Sequence, residues 1–202
     1  MTDNNGVGRR ERKKAATRKA ISDAATVLFL ERGFDDVSIR EIADRADVSP
    51  TTVFAHFPQK EALVFDEDDA IRDELVAVIH DRPKGQSVVQ AFREHLRHDV
   101  TVTHEEHGDG YRQFMALIEA TPALNDYAQR MWLRHEDAIA AEIAADAGLA
   151  QPNDEIRVFA RFALQVSLLA ASSDRPLAMI DTGFDVLEHG WAAVQARWTT
   201  PE

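Results

Sequence analysis

The sequence has no cysteine among its 202 residues, which excludes disulfide scaffolds, thiol catalysis and zinc sites built on cysteine. Long apolar runs are also missing. The densest apolar stretch, residues 159–171, is interrupted by Arg161 and Gln165 and is shorter than the roughly 18 residues that a membrane span needs. The apolar segment behind the basic N-terminus carries Asp23, so no secretory signal is predicted. These features predict a cytoplasmic protein with no membrane partner.

Strand-like alternation of apolar and polar residues never extends beyond a few positions, and no internal repeat is present. With 45% apolar and 29% charged residues, the chain has the composition of a globular protein, not of a disordered one. Its length suits one large domain or two small ones. An all-α fold is therefore predicted.

The net charge of −12 is unevenly distributed along the chain. Residues 1–60 hold 11 of the Lys and Arg residues and 9 of the Asp and Glu residues, a balance of +2 that leaves −14 on the rest. Residues 9–14 alone contain five basic side chains and one acidic side chain. This asymmetry indicates a small polyanion-binding part joined to an acidic body, but a basic disordered tail without a partner has the same pattern.

Apolar spacing and capping residues predict three helices within the first 60 residues. The first runs from about residue 9 to residue 32, with apolar side chains along one face. Ser38 and Glu41 have the spacing of a capping box at the start of a second, short helix. Ser49 and Pro50 then open a third helix, as N-cap and first helical residue.

Residues 38–57 follow the helix-turn-helix pattern of two short helices joined by a tight turn. Such helices need small or apolar residues where they cross, and the sequence offers Ala43, Val48, Val53 and Phe54. The outer face of the second helix carries small or polar residues, so it can enter a major groove about 12 Å wide. A plain helical hairpin without a DNA partner would show the same pattern.

Four segments, Gly33-Phe34, Ser38–Ala43, Ala46–Ser49 and Thr52–Leu63, resemble the DNA-binding domain of the tetracycline-repressor (TetR) family. The resemblance covers about residues 12–65. Beyond them it concerns only the total length and the run of long helices. It implies an all-α fold with an N-terminal three-helix helix-turn-helix domain followed by a bundle of about six helices.

The bundle helices are separated by breaks at glycine and proline. They are predicted at about residues 60–80, 86–104, 109–120, 122–147, 154–172 and 176–198. The predicted organisation is a disordered tail at 1–8, a DNA-binding domain at 9–60 and a ligand-binding and dimerisation domain at 61–202.

Two groups of side chains contact DNA if the resemblance holds. The basic arm follows the backbone or reaches the minor groove, and it contributes Arg9, Arg10 and Lys13. The helix-turn-helix contacts phosphates and base edges through Ser38, Arg40, Thr51, Thr52, Phe54, His56 and Lys60.

Within the second group, the resemblance implies that Thr51 and Thr52 face base edges. Phe54 stands where the family usually has a tyrosine that bonds a phosphate, and phenylalanine lacks that hydroxyl. Lys60 would meet a phosphate at the start of the fourth helix, where the helix N-terminus favours anions. Asp47 occupies a turn position where the family favours glycine, and aspartate is one of the residues that tolerate the left-handed conformation.

A short helix-turn-helix reads only a few base pairs, so specificity requires two copies at a fixed spacing. The family's architecture implies a homodimer through the last two helices. Their apolar stripes consist of Phe162, Val166, Leu169, Ala170, Phe184, Leu187, Trp191 and Val194. The same stripes can instead serve the subunit's own core.

Apolar residues on the middle helices can line a ligand pocket, and their types favour a hydrophobic effector. They are Phe92, Leu96, Phe114, Leu117, Trp132, Leu133 and Phe159. Residues of these types at helical spacing are more often core than pocket.

Histidines raise the question of a metal site. His95 and His98 lie three residues apart, and a His-Glu-Glu-His run occupies residues 104–107. The run does not have the four-residue histidine spacing of a metalloprotease, and its acidic surroundings favour a solvated polar face. No metal site or cofactor is predicted.

The predicted function is that of a ligand-responsive, sequence-specific repressor that binds a palindromic operator as a dimer and is released by a small hydrophobic effector. An enzyme using the histidines with Glu105 or Glu106 as acid–base groups is an alternative from another class. It lacks a nucleophile elbow, a phosphate loop and a cofactor fingerprint, so the chain is predicted not to be an enzyme. A third possibility is an interaction module that keeps the fold without binding DNA.

Overall fold

A computed structural model of the chain describes the backbone of residues 4–199 and the side chains of residues 8–103, 108 and 110–190. Over residues 4–199 the chain forms nine α-helices and no strand, which confirms the predicted all-α class. The helices are α1 (Asn4–Arg32), α2 (Ile39–Arg45), α3 (Pro50–His56), α4 (Asp68–His80), α5 (Val88–His107), α6 (Asp109–Ala120), α7 (Pro122–Asp146), α8 (Asp154–Ala171) and α9 (Pro176–Thr199). None of them, over the described part of the chain, has the length and apolarity to span a membrane.

The helices form two compact units. The first contains the residues up to Asp68 together with Ala116–Ala128, and the second contains Asp69–Met115 and the chain from Gln129 onward. The sequence placed the division after residue 60 and assigned all of residues 61–202 to one domain. In the structure the end of α6 and the start of α7 belong to the first unit.

Two helix boundaries differ from those predicted. α1 begins at Asn4, so residues 4–8, expected in a disordered tail, are helical; residues 1–3 lie outside the described chain. The helix predicted over 60–80 is a 3-10 turn, Lys60–Leu63, followed after a break by α4. In the break, the ring of Phe65 stacks on Tyr127 with centroids 5.1 Å apart, a contact between segments that local sequence does not reveal.

The core of the first unit forms where the apolar face of α1 packs with the two short helices. Ile21, Ala25 and Phe29 of α1 are buried, as expected from their spacing. The Ser22 hydroxyl, also buried, donates to the carbonyl of Leu63 at 3.3 Å and ties α1 to the 3-10 turn. Packing against the long helix α1 therefore stabilises the two short helices, which are too short to be stable in isolation.

In the second unit α8 and α9 pack most closely, at Gly183 of α9 and Val166 of α8. A Cβ atom at Gly183 would lie 2.6 Å from Val166 Cγ2, so glycine permits this approach. The core around them includes Leu75, Ile79, Phe92, Leu96, Ile139, Ala163, Leu164, Ile180 and Phe184. Ion pairs join α5 to α9 at the rim: Arg93 bonds Asp185 at 2.8 Å, and Arg97 bonds Asp181.

Helix α9 is interrupted at Gly190, where φ is 71° and ψ is 170°. The sequence predicted one continuous helix over 176–198 with Phe184, Leu187, Trp191 and Val194 along one stripe. The single helix predicted over 176–198 is therefore corrected to two helical segments that meet at Gly190, while the side chains of Trp191 and Val194 lie outside the described residues.

The turn between α2 and α3 passes through Asp47, whose φ of 53° lies in the left-handed region. The amide of Val48 donates to the Ala43 carbonyl at 3.0 Å and closes the turn. Ordinary residues lose roughly 1–2 kcal/mol in this conformation, and aspartate is one of the few that adopt it routinely. The predicted left-handed residue at Asp47 is confirmed.

Replacing Asp47 with alanine is expected to lower the free energy of unfolding by about 1 kcal/mol, because alanine keeps the steric penalty without a side chain that can bond locally. Asp47→Gly should change the free energy of unfolding by no more than about 0.5 kcal/mol. Glycine relieves the backbone strain at this position, and this gain offsets the greater conformational entropy that glycine gives the unfolded chain. Urea denaturation measures both, with Asp44→Ala inside α2 as a control that should not destabilise. Equal stability of the two Asp47 variants would contradict this account.

Candidate nucleic-acid interface

The start of α2 is fixed by the predicted capping box, which the structure confirms. The Ser38 hydroxyl accepts from the Glu41 amide at 3.3 Å, and the Glu41 carboxylate accepts from the Ser38 amide at 2.8 Å. Arg32 of α1 donates to the same carboxylate at 2.6 Å. The backbone hydrogen bond from Ser38, followed by the bond from Arg32, lowers the pKa of Glu41 to about 2. The exposed Ser38 therefore serves first as a helix cap.

The start of α3 is capped by Ser49, whose hydroxyl accepts from the Thr52 amide at 3.1 Å, with Pro50 as the first helical residue. Val53 is fully buried, which gives the predicted helix-turn-helix its crossing point. Phe54, expected at the same crossing, instead lies on the outer side with 53% of its surface exposed. Phe57 is the buried aromatic residue of this region, so the expectation for Phe54 is corrected.

The two threonines of α3 differ in what their hydroxyls can do. Thr51 is exposed on the outer face, next to Phe54 and Ala55. Thr52 is half-buried, and its hydroxyl lies 2.8 Å from the Ser49 hydroxyl in a hydrogen bond. Thr51 is thus better placed than Thr52 to meet a base edge.

Lys60 is positioned differently from the sequence-based expectation. It lies on a four-residue 3-10 turn, and Gln59 in front of it makes no side-chain capping bond. Its half-buried ammonium donates to the Phe34 carbonyl and sits 4.2 Å from the centroid of the Phe34 ring. Burial lowers the pKa of Lys60. This amine stabilises the end of α1, and a phosphate contact would require it to leave these partners.

His56 ends α3 and is half-buried. Burial, followed by the positive charges of Arg18 and Lys14, lowers the pKa of His56 below its ordinary value. This shift favours the neutral imidazole, which can still donate one hydrogen bond.

Apart from Lys60, the arginine and lysine side chains predicted to contact DNA are exposed. Arg9, Arg10 and Lys13 lie along the first turns of α1, which makes the arm a helical face, and Arg40 lies on α2. Their exposure leaves them accessible to a polyanion in solution.

Arg18 of α1 is a residue that the sequence reasoning missed. Its guanidinium donates to the His56 carbonyl at 2.8 Å and to the Asp66 carbonyl at 3.1 Å. It also lies 4.2 Å from the centroid of the Phe57 ring. Arg18 therefore joins α1 to the C-terminal end of α3. Only the tertiary fold brings these groups together, and a basic residue in a basic segment gave no signal of it.

The residues predicted to line a ligand pocket differ in how deeply they are buried, and they are divided between the two compact units. Phe92 and Leu96 are core residues, and Phe159 packs edge-on against Phe92 with centroids 6.0 Å apart. Leu133 lies on the surface, and Leu117 belongs to the first compact unit. Phe114 and Trp132 are half-buried in the second.

Phe159 lines an open apolar groove in the second unit. The groove has a volume of about 210 Å³ and lies between the start of α5, the end of α7 and the start of α8. Its walls are Val88, Val89, Ile143, Glu155, Ile156 and Phe159. The other pocket residues named from the sequence are not among these walls.

The predicted dimer residues separate into two groups. Phe162 and Leu169 of α8 are 53% and 57% exposed. Val166, Ala170 and Phe184, assigned to the interface from the sequence, lie instead in the subunit's own core, where they have almost no surface left for a partner. Leu187 packs partly against that core, and the side chains of Trp191 and Val194 lie outside the described residues.

The described side chains include no group of three or more histidine and carboxylate residues placed to hold a metal ion. His95 Nδ1 lies 3.9 Å from a Glu74 carboxylate oxygen, and His98 is exposed. The side chains of residues 104–107 lie outside the described set.

A capped helix-turn-helix beside an exposed basic helix face, joined to a helical second unit, defines the class of helix-turn-helix regulators. Residues 21–66 match the family described as bacterial regulatory proteins, tetR family, and residues 86–192 match the MftR C-terminal domain. The second match alone covers more than half of the chain.

Relatives agree with these matches. TcmR of Streptomyces glaucescens, a helix-turn-helix transcriptional regulator, is 30% identical over 155 residues, which are 74% of this chain and 69% of TcmR. The putative mycofactocin biosynthesis regulator MftR of Mycobacterium tuberculosis is 28% identical over 73% of each chain. The TetR-family repressor FadR of Thermus thermophilus, solved with lauroyl-CoA, is 26% identical with a TM-score of 0.55, over 86% of this chain and 94% of FadR.

The chain belongs to the TetR family of bacterial transcriptional regulators. The resemblance noted in the sequence is thereby confirmed, and it extends beyond the helix-turn-helix into the second unit.

Arg18→Lys is expected to lower the free energy of unfolding by about 1–3 kcal/mol, because an ammonium cannot bridge two carbonyls and stack on a ring at once. Hydrogen exchange should show faster opening of α3 in the variant. Arg12→Lys is the matched control, since Arg12 makes one exposed bond to the Gly8 carbonyl at 3.1 Å. If both variants unfold at the same urea concentration, Arg18 does not hold α3.

Proposed function

We propose that this regulator is a ligand-responsive repressor that binds a palindromic DNA operator as a homodimer. The observation that supports it best is the exposed outer face of α3 (Thr51, Phe54 and Ala55) in a unit that also exposes the basic residues Arg40 and Lys13. A helix with this profile fits a major groove, while basic neighbours neutralise phosphates. The excess acidic charge on the rest of the chain disfavours other contacts with DNA.

The pairing surface in this proposal is the exposed side of α8. Val158, Phe162, Gln165 and Leu169 recur at helical spacing, and each is exposed. Three apolar side chains in such a row favour contact with a second apolar surface, and a two-fold dimer supplies the same row from its partner. Two reading helices at a fixed distance are what a palindromic site requires.

The effector in this proposal is a small hydrophobic molecule that enters the second unit beside Phe159. The apolar walls of the groove suit such a ligand, and the relative FadR was solved with lauroyl-CoA. Binding would favour a conformation in which the two DNA-binding domains of the dimer are no longer spaced to enter successive major grooves. This requires the effector to bind that conformation only a few kcal/mol more tightly than the DNA-binding one. The proposal involves no catalytic step, and the protein would act in the cytoplasm.

The experiment that tests DNA binding titrates DNA flanking the chain's own coding region with the full-length protein at several salt concentrations. Three or four phosphates neutralised by each subunit give a slope of about −5 to −7 in log affinity against log salt. Arg40→Ala should weaken binding to all sequences and reduce the slope by about 2, one contact in each subunit.

Arg157→Ala in the second unit is the control for this titration. Arg157 is exposed, lies 3.6 Å from Asp137 and belongs to the second compact unit, so its loss should leave the slope unchanged. Affinity that does not vary with salt would contradict DNA binding by this surface and favour the interaction-module alternative.

Leu169→Glu is expected to convert the dimer into monomers at micromolar concentration, because it places a charge in the proposed apolar interface. Leu149→Glu is the matched control. Leu149 is also exposed, at 44%, but it lies in the loop between α7 and α8. Sedimentation velocity measures the oligomeric state, and circular dichroism verifies that both variants remain helical. A dimer that survives Leu169→Glu argues for another pairing surface.

A further inference from the structure

We propose that α3 reads its operator chiefly through thymine methyl groups, and that Phe54 is the side chain that determines this specificity. The inference rests on the proposed DNA-binding function and goes beyond it, because it names the chemical feature of the base pairs that is recognised.

Helix α3 lacks the side chains that most often read bases through hydrogen bonds. Its sequence from Pro50 to His56 contains no Arg, Lys, Asn, Gln, Asp or Glu. Arginine and lysine are the side chains that pair with guanine in the major groove, asparagine and glutamine pair with adenine, and carboxylates accept from cytosine. None of these hydrogen-bonded readings is available to the seven residues of α3.

The polar groups that α3 does have are two threonine hydroxyls and the imidazole of His56. The Thr52 hydroxyl is bonded to the Ser49 hydroxyl within the N-terminal cap. His56 is half-buried, and its carbonyl accepts from Arg18 at the far end of the helix. Thr51 contributes one exposed hydroxyl to the outer face. A single hydroxyl distinguishes bases poorly, because it bonds donors and acceptors alike.

The outer face of α3 also carries an apolar surface beside Thr51. Phe54 and Ala55 follow it at helical spacings of three and four residues, so the three share one face. Phe54 is more than half exposed on a helix otherwise made of small residues. Its ring has no donor for a phosphate. The apolar group that the major groove offers is the C5 methyl of thymine, and phenylalanine is one of the side chains that contact it.

The alternative position for the ring is against a deoxyribose, where it would stabilise any sequence equally. Deoxyuridine separates the two, because it lacks only the C5 methyl of thymidine and keeps every hydrogen-bonding group. The test begins with an operator selected from random-sequence DNA by the full-length protein. Each thymine of both half-sites is then replaced in turn by deoxyuridine, and the affinity is measured by fluorescence anisotropy.

We expect at least one thymine per half-site at which the replacement lowers affinity about three- to fivefold, the effect of one buried methyl group. Phe54→Ala should bind more weakly and no longer distinguish thymine from uracil at that position. Thr51→Ala, on the same face, separates the contributions of the two side chains: it is expected to weaken binding but to keep the discrimination between thymine and uracil.

Tight selective binding without a uracil penalty anywhere would overturn the inference while leaving the proposed function intact. A penalty abolished by Thr51→Ala and kept by Phe54→Ala would overturn the role of Phe54. If the protein selects no sequence at all, the proposed function itself fails and the inference fails with it. Circular dichroism of both variants ensures that a loss of binding is not a loss of fold.

Discussion

The functional surface depends on keeping a seven-residue helix in place. An isolated helix shorter than about 12–15 residues is marginal in water, so α3 exists only through the contacts that hold it. Ser49 satisfies a backbone amide at its start, Val53 buries its middle, and Arg18 holds the carbonyl of His56 at its end. Because all three contacts lie on the inner side or at the ends, the outer face is left available for recognition.

The structure distinguishes two roles that the helix-turn-helix motif does not separate: holding the helices in place and being exposed for contact with a partner. Ser38, Thr52 and Lys60 belong to the helix-turn-helix pattern, yet in the structure their polar atoms bond Glu41, Ser49 and Phe34. They keep the scaffold rigid. In the proposed function, contact with DNA is made by side chains that do not hold the helices in place, namely the exposed arginines and the outer face of α3. Preorganisation of this kind limits the entropy lost on binding.

The features that the sequence predicted correctly are those set by interactions within a few residues. The capping box of α2, the serine N-cap of α3, the left-handed Asp47 and the buried face of α1 follow from hydrogen bonds and periodicity within a few residues. The sequence reasoning failed where distant segments compete for one side chain. Nothing within a turn of Phe54 indicates that Phe57 takes the buried position, and nothing near Arg18 indicates that it reaches Asp66.

The apolar residues of α8 are a second case in which helical spacing alone did not predict which side chains are buried. Val166 lies against Gly183 and Ala170 lies in the core, whereas Phe162 and Leu169, which an α-helix places about 40° and about 60° around its axis from Val166, are exposed. When only helical spacing is considered, apolar residues this near to one another in the sequence are assigned to one broad stripe. The division between them is set by α9, which approaches closely only because residue 183 is glycine. The surface proposed for a second subunit is therefore defined by what the first subunit's own packing leaves uncovered.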